Sequence, residues 1–332
     1  MKKLIAIILT LALALSMTAC GASVEAVPSA EASGTAAYKV AIVQQLDHSS
    51  LDEIRTAICA ELTRLAAEKG VTIEIKEYNG QNDTTMLNQI STDAVSDKVD
   101  MIVPIATLAA VSAVTATEGT GIPVVYAAIS DPASAGLTGI PTVTGVSDAL
   151  NTPFILDMML AAQPDVQTVG LLYSNSEVNS QTPIAEAKAY LEEKGIAYLE
   201  KTGNTAGEVV EAAASLVGRV DAVFTPTDNA VMAAEASVAE LLNADGIPHY
   251  TGADSFVTSG AFATCGVNYT ELGTKAGSMA FDILMGGAIG DFQIMDGGII
   301  TVNDDTAYAC GIDFSVFNSM ANTVNVVKTI TD

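Results

Sequence analysis

Short polar segments follow most of the apolar runs in this sequence, and their residue types could hold a small ligand. Asp, Ser, Thr and Asn recur in seven of them, at residues 44–50, 106–107, 129–132, 145–148, 174–180, 226–229 and 252–255. One such segment alone is typical of a helix N-cap, because these side chains accept hydrogen bonds from free backbone N–H groups. Seven such segments in one chain favour a ligand site.

The groups that clamp anions or catalyse reactions are scarce in these segments. None of the three arginines, Arg55, Arg64 and Arg219, falls in them, so we expect no bidentate clamp for phosphate. His48 is the one histidine there, and its neighbours at 47, 49 and 50 are too close in sequence to favour a hydrolytic triad. The sequence shows no P-loop, nucleophile elbow or zinc-protease motif. It therefore predicts a binding protein and not an enzyme, with no cofactor and no metal.

The same segments suit a small neutral or zwitterionic ligand. Hydroxyls, amides and helix N-terminal N–H groups can hold a carboxylate without a cation. We expect Ser176, Asn179 and Ser180, in the loop at residues 173–183, to do so. An acidic side chain would hold the ammonium, and the candidates are Asp131, Asp228 and Asp254. Four aromatic side chains near these segments could form an apolar wall: Tyr126, Phe154, Tyr173 and Phe256.

The elements that position these segments alternate regularly along the chain. Strand-like runs and helix-like runs follow one another from residue 38, pause around residues 142–148, and start again at residue 168. The sequence Glu-Lys-Gly followed by Val or Ile ends the first helix in both halves, at residues 68–71 and 193–196. This order predicts an α/β protein with two doubly wound parallel-sheet lobes. Ligands of such sheets bind at the carboxyl ends of the strands, here in the crevice between the lobes.

The N-terminus indicates export. Lys2 and Lys3 precede an apolar stretch at residues 5–17, which is too short for a membrane-spanning helix and fits a signal peptide. Small residues before Cys20 resemble a bacterial lipobox, in which the cysteine is lipidated. We expect a lipoprotein signal peptide at residues 1–19, then lipidated Cys20 and a flexible tether at residues 20–37. The alternative is an ordinary secretory signal with an incidental cysteine. The expected location is the outer face of the cytoplasmic membrane.

The net charge limits the classes of binding partner, and the cysteine spacing limits the roles of the thiols. A formal net charge of −25 disfavours binding to nucleic acid or to anionic lipid, because both need clustered Lys and Arg. Contact with the membrane would then be through the lipid anchor alone. Cys59, Cys265 and Cys310 are widely spaced and show no zinc-binding pattern. We expect buried thiols, although export leaves one disulfide possible.

Seven motifs resemble, in order, a family of ABC transporter substrate-binding lipoproteins of the tryptophan/tyrosine type. They are IVQQLDHSSLDEIRTAI, DKVDMIVPIAT, AISDPASAGL, TGVSD, LLYSNSEVNS, VDAVFTPTDNAV and GADS. The resemblance implies the type I periplasmic-binding-protein fold, whose lobes are joined by a three-strand hinge. It places the N-terminal lobe at residues 38–147 plus about 268–290, with a returning helix at residues 270–285. The C-terminal lobe is then expected at residues 148–267 plus about 291–325.

The resemblance also implies a function and a set of site residues. The chain would act as a monomer that binds a free amino acid, most often aromatic, and delivers it to an ABC permease and its ATPase. Alternatives are a sugar or nucleoside receptor of the same fold, or a lipoprotein that senses its ligand without transport. The implied ligand-binding residues are Gln44, His48, Thr107, Ser130, Asp131, Ser147, Asp148, Ser176, Asn179, Ser180, Thr227, Asp228, Asn229 and Asp254.

Overall fold

The structure is a computed structural model and describes residues 37–330. The expected signal peptide, Cys20 and all of the expected tether except its last residue lie outside the described residues. Within residues 37–330, no helix is both long enough and apolar enough to cross a membrane.

The first lobe is built on a parallel sheet of six strands. These are β1 Ala37–Gln44, β2 Thr72–Asn79, β3 Met101–Ile105, β4 Val124–Ala127, β5 Val143–Ser147 and β11 Gln293–Ile294. Their order is β11-β5-β4-β3-β1-β2, and every neighbouring pair is parallel. The helices of this lobe are α1 Ser49–Lys69, α2 Thr84–Ser96, α3 Thr107–Thr117 and α10 Tyr269–Leu284. The carboxyl ends of its strands therefore lie at one edge of the sheet.

The second lobe is built on a sheet of seven strands. These are β6 Thr168–Tyr173, β7 Ala197–Thr202, β8 Ala222–Thr225, β9 His249–Thr251, β10 Ala263–Gly266, β12 Ile299–Asn303 and β13 Thr323–Val327. Their order is β13-β12-β10-β9-β8-β6-β7, and only the β10–β12 pair is antiparallel. The helices are α4 Thr152–Ala162, α5 Gln181–Lys194, α6 Ala206–Ala214, α7 Asn229–Met232, α8 Glu235–Ala244, α9 Asp254–Thr258 and α11 Asp304–Cys310. Two 3₁₀ turns occur at Val178–Ser180 and Ser315–Ser319.

The prediction of two α/β lobes is confirmed by this topology. The structure differs from the sequence pattern at residues 142–148, where the expected pause is the buried strand β5. Polar and small residues hide this strand in the sequence. Gly145 is needed there because a Cβ atom would lie 2.2 Å from the carbonyl oxygen of Tyr126 on the neighbouring strand.

Three crossings connect the lobes, at residues 148–151, 267–268 and 295–298. Because β11 pairs with β5 in the first sheet, the chain leaves the first lobe after residue 294. The three segments form the hinge about which the lobes can turn.

Close packing of α1 against α10 fixes the start of α1 at the lobe interface. Gly273 and Gly277, one turn apart on α10, face α1, and a Cβ atom at Gly273 would lie 2.5 Å from the carbonyl oxygen of Ile54. Ser278 adds a hydrogen bond of 2.7 Å to the Glu61 carboxylate on α1. Because the helices are held so closely, His48, the N-cap residue of α1, has a fixed position beside the second lobe.

Candidate functional site

A small cavity lies between the two lobes at the ends of their strands. Its volume is about 30 Å³, room for about two water molecules. Both lobes line it, with His48, Ser50, Leu51, Ala106, Thr107, Ala128, Ser130, Asp148 and Tyr269 from the first lobe and the crossings, and Asn179, Thr227, Asn229, Met232, Ala253 and Phe256 from the second. We call this space the interlobe cavity.

Direct hydrogen bonds across the interface hold the lobes together. Gln45 Nε2 donates to Glu177 Oε1 at 2.9 Å, and Ser50 Oγ donates to an oxygen of Asp254 at 2.9 Å. The hydroxyls of Ser130 and Thr227 are 2.8 Å apart. The lobes are therefore closed on one another, which explains why the cavity between them is so small.

A larger cavity of about 590 Å³ adjoins the hinge. Segments of the three crossings and residues 318–322 line it, and Asp148 and Tyr269 belong to the walls of both cavities. Its volume alone would suit a small ligand. We nevertheless take the interlobe cavity as the candidate site, because strand-end loops of both lobes meet there and opening of the lobes would enlarge it.

The structure brings seven of the predicted site residues together around the interlobe cavity. They are His48, Thr107, Ser130, Asp148, Asn179, Thr227 and Asn229. They come from six of the seven polar segments identified in the sequence. The structure therefore brings strand-end segments of both lobes to one crevice, and the role of these residues in ligand binding stays a prediction.

Two of the other predicted residues are occupied by structural hydrogen bonds. The Gln44 amide donates to Leu46 O at 2.7 Å and to Asp52 at 2.9 Å. Asp228 is the N-cap of α7, and its carboxylate accepts from the backbone N–H of Ser174 at 2.7 Å and from Ser180 Oγ at 2.6 Å. The Asp228 carboxylate is thus satisfied within the second lobe and does not line the cavity, in contrast to its expected role as partner of the ammonium.

The remaining predicted residues also lie outside the cavity wall. Asp131 accepts from Thr182 Oγ1 at 2.7 Å, and Asp254 accepts from Ser50. The Ser147 hydroxyl accepts from a backbone N–H at 3.2 Å, Ser176 is exposed, and Ser180 is the partner of Asp228. Of the loop expected to hold a carboxylate, only Asn179 lines the cavity, and of the four aromatic candidates only Phe256 does.

Gln45 and Glu177 were missed by the sequence reasoning. Gln45 is the neighbour of the predicted Gln44, and the turn after β1 directs the second glutamine, not the first, across the interface. Glu177 lies within a predicted loop, and a fully buried Glu is uncommon in proteins. Its carboxylate accepts from Gln45 and from Asn229 Nδ2, the latter at 3.1 Å. Burial, with the nearby Asp228 charge, raises the pKa of Glu177 to about 8.

Asp148 gives the interlobe cavity its acidic character. The side chain is buried, and Ser130 Oγ donates to one of its oxygens at 3.1 Å. Burial raises the pKa of Asp148 to about 6. Among the described residues that line the cavity there is no Lys or Arg. A buried carboxylate without a cation is costly, so this position favours a ligand that brings a positive group.

Two further buried polar atoms, on residues that line the cavity, have no hydrogen-bond partner among residues 37–330. Asn179 donates through Nδ2 to Thr227 O at 2.6 Å, which leaves its buried Oδ1 without a hydrogen bond. His48 Nε2 is 3.4 Å from Asn229 Oδ1, and the buried Nδ1 has no partner. Burial lowers the pKa of His48 to about 4, so the ring is neutral at pH 7. The wall therefore offers unsatisfied hydrogen-bonding atoms as well as a carboxylate.

The backbone of the first lobe is strained where it borders the cavity. Ala106, just before α3, has a φ of 73°, and Ala128, just after β4, has a φ of 58°. Residues with side chains rarely adopt such angles outside sites where function requires them. At Ala106 the strain turns the chain abruptly into α3, so that the helix begins at the cavity wall with Thr107.

Comparison with known proteins gives this geometry a context. Residues 39–316 match the family described as ABC transporter substrate binding protein. A tyrosine-binding protein of Clostridioides difficile (strain R20291) is 33% identical over 319 residues, which cover 93% of this chain and 92% of the relative.

Two solved structures are similar in both sequence and fold. The ABC domain from Streptococcus pneumonia in complex with L-Trp is 30% identical, with a TM-score of 0.80 over 87% of this chain and 99% of that chain. A substrate binding protein with adhesive properties from Clostridium difficile, in a ligand-free, open structure, is 33% identical, with a TM-score of 0.66 over 88% and 100%. The fold is that of the type I periplasmic binding proteins, as predicted.

The two TM-scores agree with the closed interface. The present structure is more similar to the L-Trp complex than to the open structure, although the sequence identity to the open one is slightly higher. This chain belongs to the ABC transporter substrate binding protein family.

Proposed function

We propose that this chain is an exported, lipid-anchored receptor that captures an aromatic amino acid between its lobes and delivers it to an ABC permease. The relatives named for tyrosine and solved with L-Trp support the class of ligand. Export and attachment through Cys20 are supported by the sequence pattern of residues 1–20.

The observation that carries the proposal is the buried carboxylate of Asp148 in a cavity wall without Lys or Arg. An amino acid brings an ammonium group, whose three N–H donors match the Asp148 carboxylate and the free Oδ1 of Asn179. The gain is large because pairing removes the cost of a buried, unpaired charge. Asp148 thus takes the role that the sequence reasoning had given to Asp131, Asp228 or Asp254.

The carboxylate of the ligand would be held at the first lobe. The N-terminus of α3 reaches the cavity wall at Thr107, which offers both a hydroxyl and a helix N-terminal N–H. Such a terminus stabilises an anion without a cationic side chain. The strained φ of Ala106 supports this role, because it places the helix start at the cavity.

An apolar surface is available for an aromatic side chain. Leu51 from the first lobe and Met232, Ala253 and Phe256 from the second line the cavity and belong to one apolar cluster that runs across the interface. Binding there would bury apolar area of the ligand against both lobes at about 25 cal/mol per Å². A ligand that touches both lobes stabilises the closed form, and this differential contact is what shifts the population.

The lobes must separate to admit the ligand, because about 30 Å³ is far smaller than an amino acid. Turning about the three crossings would break the Gln45–Glu177, Ser50–Asp254 and Ser130–Thr227 hydrogen bonds. In the complex, contacts between each lobe and the ligand would replace some of them. The closed form would then be held either by direct hydrogen bonds between the lobes or by contacts of both lobes with the ligand.

Isothermal titration calorimetry against the twenty amino acids, with glucose and a nucleoside as further ligands, tests the proposal. We expect binding of one or more aromatic amino acids and none of the sugar or nucleoside. Absence of binding by every aromatic amino acid would overturn the assignment of ligand class. Attachment is tested by Cys20→Ser, which should move the protein from the membrane fraction to the medium.

A further inference from the structure

The hydrogen-bond network behind the interlobe cavity fixes which nitrogen of His48 carries its proton. Gln45 Oε1 accepts from the backbone N–H of Leu108 at 3.0 Å, so the Gln45 amide nitrogen is the atom that donates to Glu177. Above the pKa of Glu177, which is about 8, both oxygens of this carboxylate only accept, and Asn229 Nδ2 donates to Oε2. With Nδ2 directed at the carboxylate, the atom of Asn229 that faces His48 is the carbonyl oxygen Oδ1. A carbonyl oxygen only accepts, so His48 Nε2 must donate.

The other ring nitrogen of His48 is then a hydrogen-bond acceptor. Burial keeps the ring neutral at pH 7, and a neutral imidazole carries a single N–H. With that proton on Nε2, Nδ1 presents a lone pair. Nδ1 is buried without a partner in the described part of the chain, and His48 lines the cavity. A buried acceptor of this kind costs free energy until a donor reaches it.

The position of His48 separates it from the charged end of the cavity. Asp148, Ser130 and Thr227 form one hydrogen-bonded set, in which Ser130 gives its proton to Asp148 and accepts from Thr227. His48 belongs to a different set, through Asn229 and Glu177. It also lies one turn before Leu51 of the apolar wall. His48 is therefore separate from the Asp148 carboxylate and adjoins the apolar wall, to which we assign the ligand's aromatic ring.

We propose that Nδ1 of His48 accepts the phenol O–H or indole N–H of the ligand and thereby selects aromatic amino acids that carry a side-chain donor over phenylalanine. This inference rests on the proposed function, because it assumes an amino acid in the interlobe cavity. Both donor-bearing rings offer the same chemistry to the acceptor. Phenylalanine fills the same apolar surface but leaves Nδ1 unsatisfied.

Calorimetry with L-Tyr, L-Trp and L-Phe tests the discrimination in the wild-type protein. We expect L-Tyr or L-Trp to bind on the order of 10- to 100-fold more tightly than L-Phe, since L-Phe leaves a buried acceptor unpaired. Equal affinity for all three ligands would overturn the inference and leave the proposed function standing. Failure of all three to bind would overturn both.

Two matched variants separate the nitrogens of His48. Asparagine places its terminal oxygen or nitrogen near the position of Nδ1, whereas glutamine places its terminal group near Nε2. We expect His48→Asn to keep the preference over L-Phe within about threefold of wild type, because an acceptor remains. His48→Gln should bring the ratio of affinities close to one, mainly by weakening L-Tyr or L-Trp. A preference that survives in His48→Gln would overturn the inference.

The tautomer can be measured in the wild-type protein, which avoids any loss of folding in a variant. The chain has only two histidines, so the ¹⁵N resonances of His48 are assigned by comparison with one His249 variant. We expect a protonated Nε2 and an unprotonated Nδ1 at pH 9, where Glu177 is ionised, with the Nδ1 resonance moving when ligand is added. A protonated Nδ1 in the free protein would contradict the proposed acceptor.

Discussion

Asp148→Asn should stabilise the protein and weaken its binding of amino acids at the same time. Burial raises the pKa of Asp148 from 3.8 to about 6, which corresponds to about 3 kcal/mol of free energy of unfolding lost by the ionised form. Asparagine has the same shape and can still accept the hydrogen bond from Ser130. Asparagine carries no charge, so we expect the free energy of unfolding of Asp148→Asn to exceed that of wild type by nearly this amount, about 3 kcal/mol, at pH 8.

The stability that Asp148→Asn gains over wild type must increase as the pH rises. Because the pKa of the folded state lies above the unfolded value, the Asp148 contribution to stability is fully present below about pH 4 and is lost as the pH rises through 6. Wild type and Asp148→Asn should therefore have equal stability near pH 3.5 and diverge above pH 6. Urea denaturation at both ends of this range measures the difference.

Ligand binding should change in the opposite direction. Loss of a charge-assisted hydrogen bond to the ammonium costs about 1.5–3 kcal/mol, or roughly a 10- to 150-fold rise in Kd. Calorimetry with the best aromatic ligand measures it. Equal stability of the two proteins at pH 8, or an unchanged Kd, would refute the reasoning.

Asp131→Asn is the matched control. Burial alone would raise the pKa of Asp131, but hydrogen bonds from Ser134 and Thr182 outweigh it and lower the pKa. The ionised form is therefore favoured in the folded state, and its contribution is lost as the pH falls. We expect Asp131→Asn to leave stability unchanged or lower it at pH 8, the reverse of Asp148→Asn.

Three other predictions concern the packing of α10 against α1, the hydrogen bonds that Asp228 accepts, and the cysteine thiols. Gly273→Ala should lower the free energy of unfolding by about 1–3 kcal/mol in urea, because the new methyl would overlap α1. Gly207→Ala, at an exposed helical position with nothing within 4 Å, should instead raise it by about 0.5–1 kcal/mol; the same sign for both would contradict the packing argument. Asp228→Ala should lower the melting temperature and cost about 2–4 kcal/mol, since it leaves three buried donors unpaired. Burial raises the pKa of all three described cysteines to about 11, so Ellman's reagent should react slowly at pH 7.5 until the protein is unfolded. A disulfide found by mass spectrometry would contradict the free thiols seen here.

The sequence predicts those parts of the fold whose signal is local. Leu51, Ile54, Ile58 and Leu62 recur at helical spacing, and Gly70 ends α1 with a φ of 70°, so both ends of α1 agree with the pattern. Strand β5 was not predicted, because burial between β4 and β11 and not its own composition makes it a strand. Tertiary contact decides the structure there, and a single sequence does not contain it.

The residues of the candidate site show the same limit of prediction from a single sequence. The polar strand ends of both lobes meet at one crevice, because parallel strands end at one edge of a sheet. Which of two neighbouring side chains enters the crevice depends on partners far away in the sequence: Gln45 meets Glu177, 132 residues later. Asp228 and Asp148 are equivalent in the sequence pattern, yet one accepts three hydrogen bonds within its lobe and the other is left with a single hydroxyl donor.

The polar segments around the interlobe cavity lack Lys and Arg, and the hydrogen bonds made there give a physical reason for it. Donors around the interlobe cavity are largely committed to protein acceptors: the Gln45 and Asn229 amides to Glu177, and the Asn179 amide to Thr227. Acceptor atoms are left over on Asp148, Asn179 and His48. An arginine in this wall would satisfy those acceptors permanently and remove the gain that a ligand ammonium obtains from them. A site that must release its ligand to a permease therefore works better when the ligand brings the positive charge, while neutral donors such as those of Thr107 hold its carboxylate.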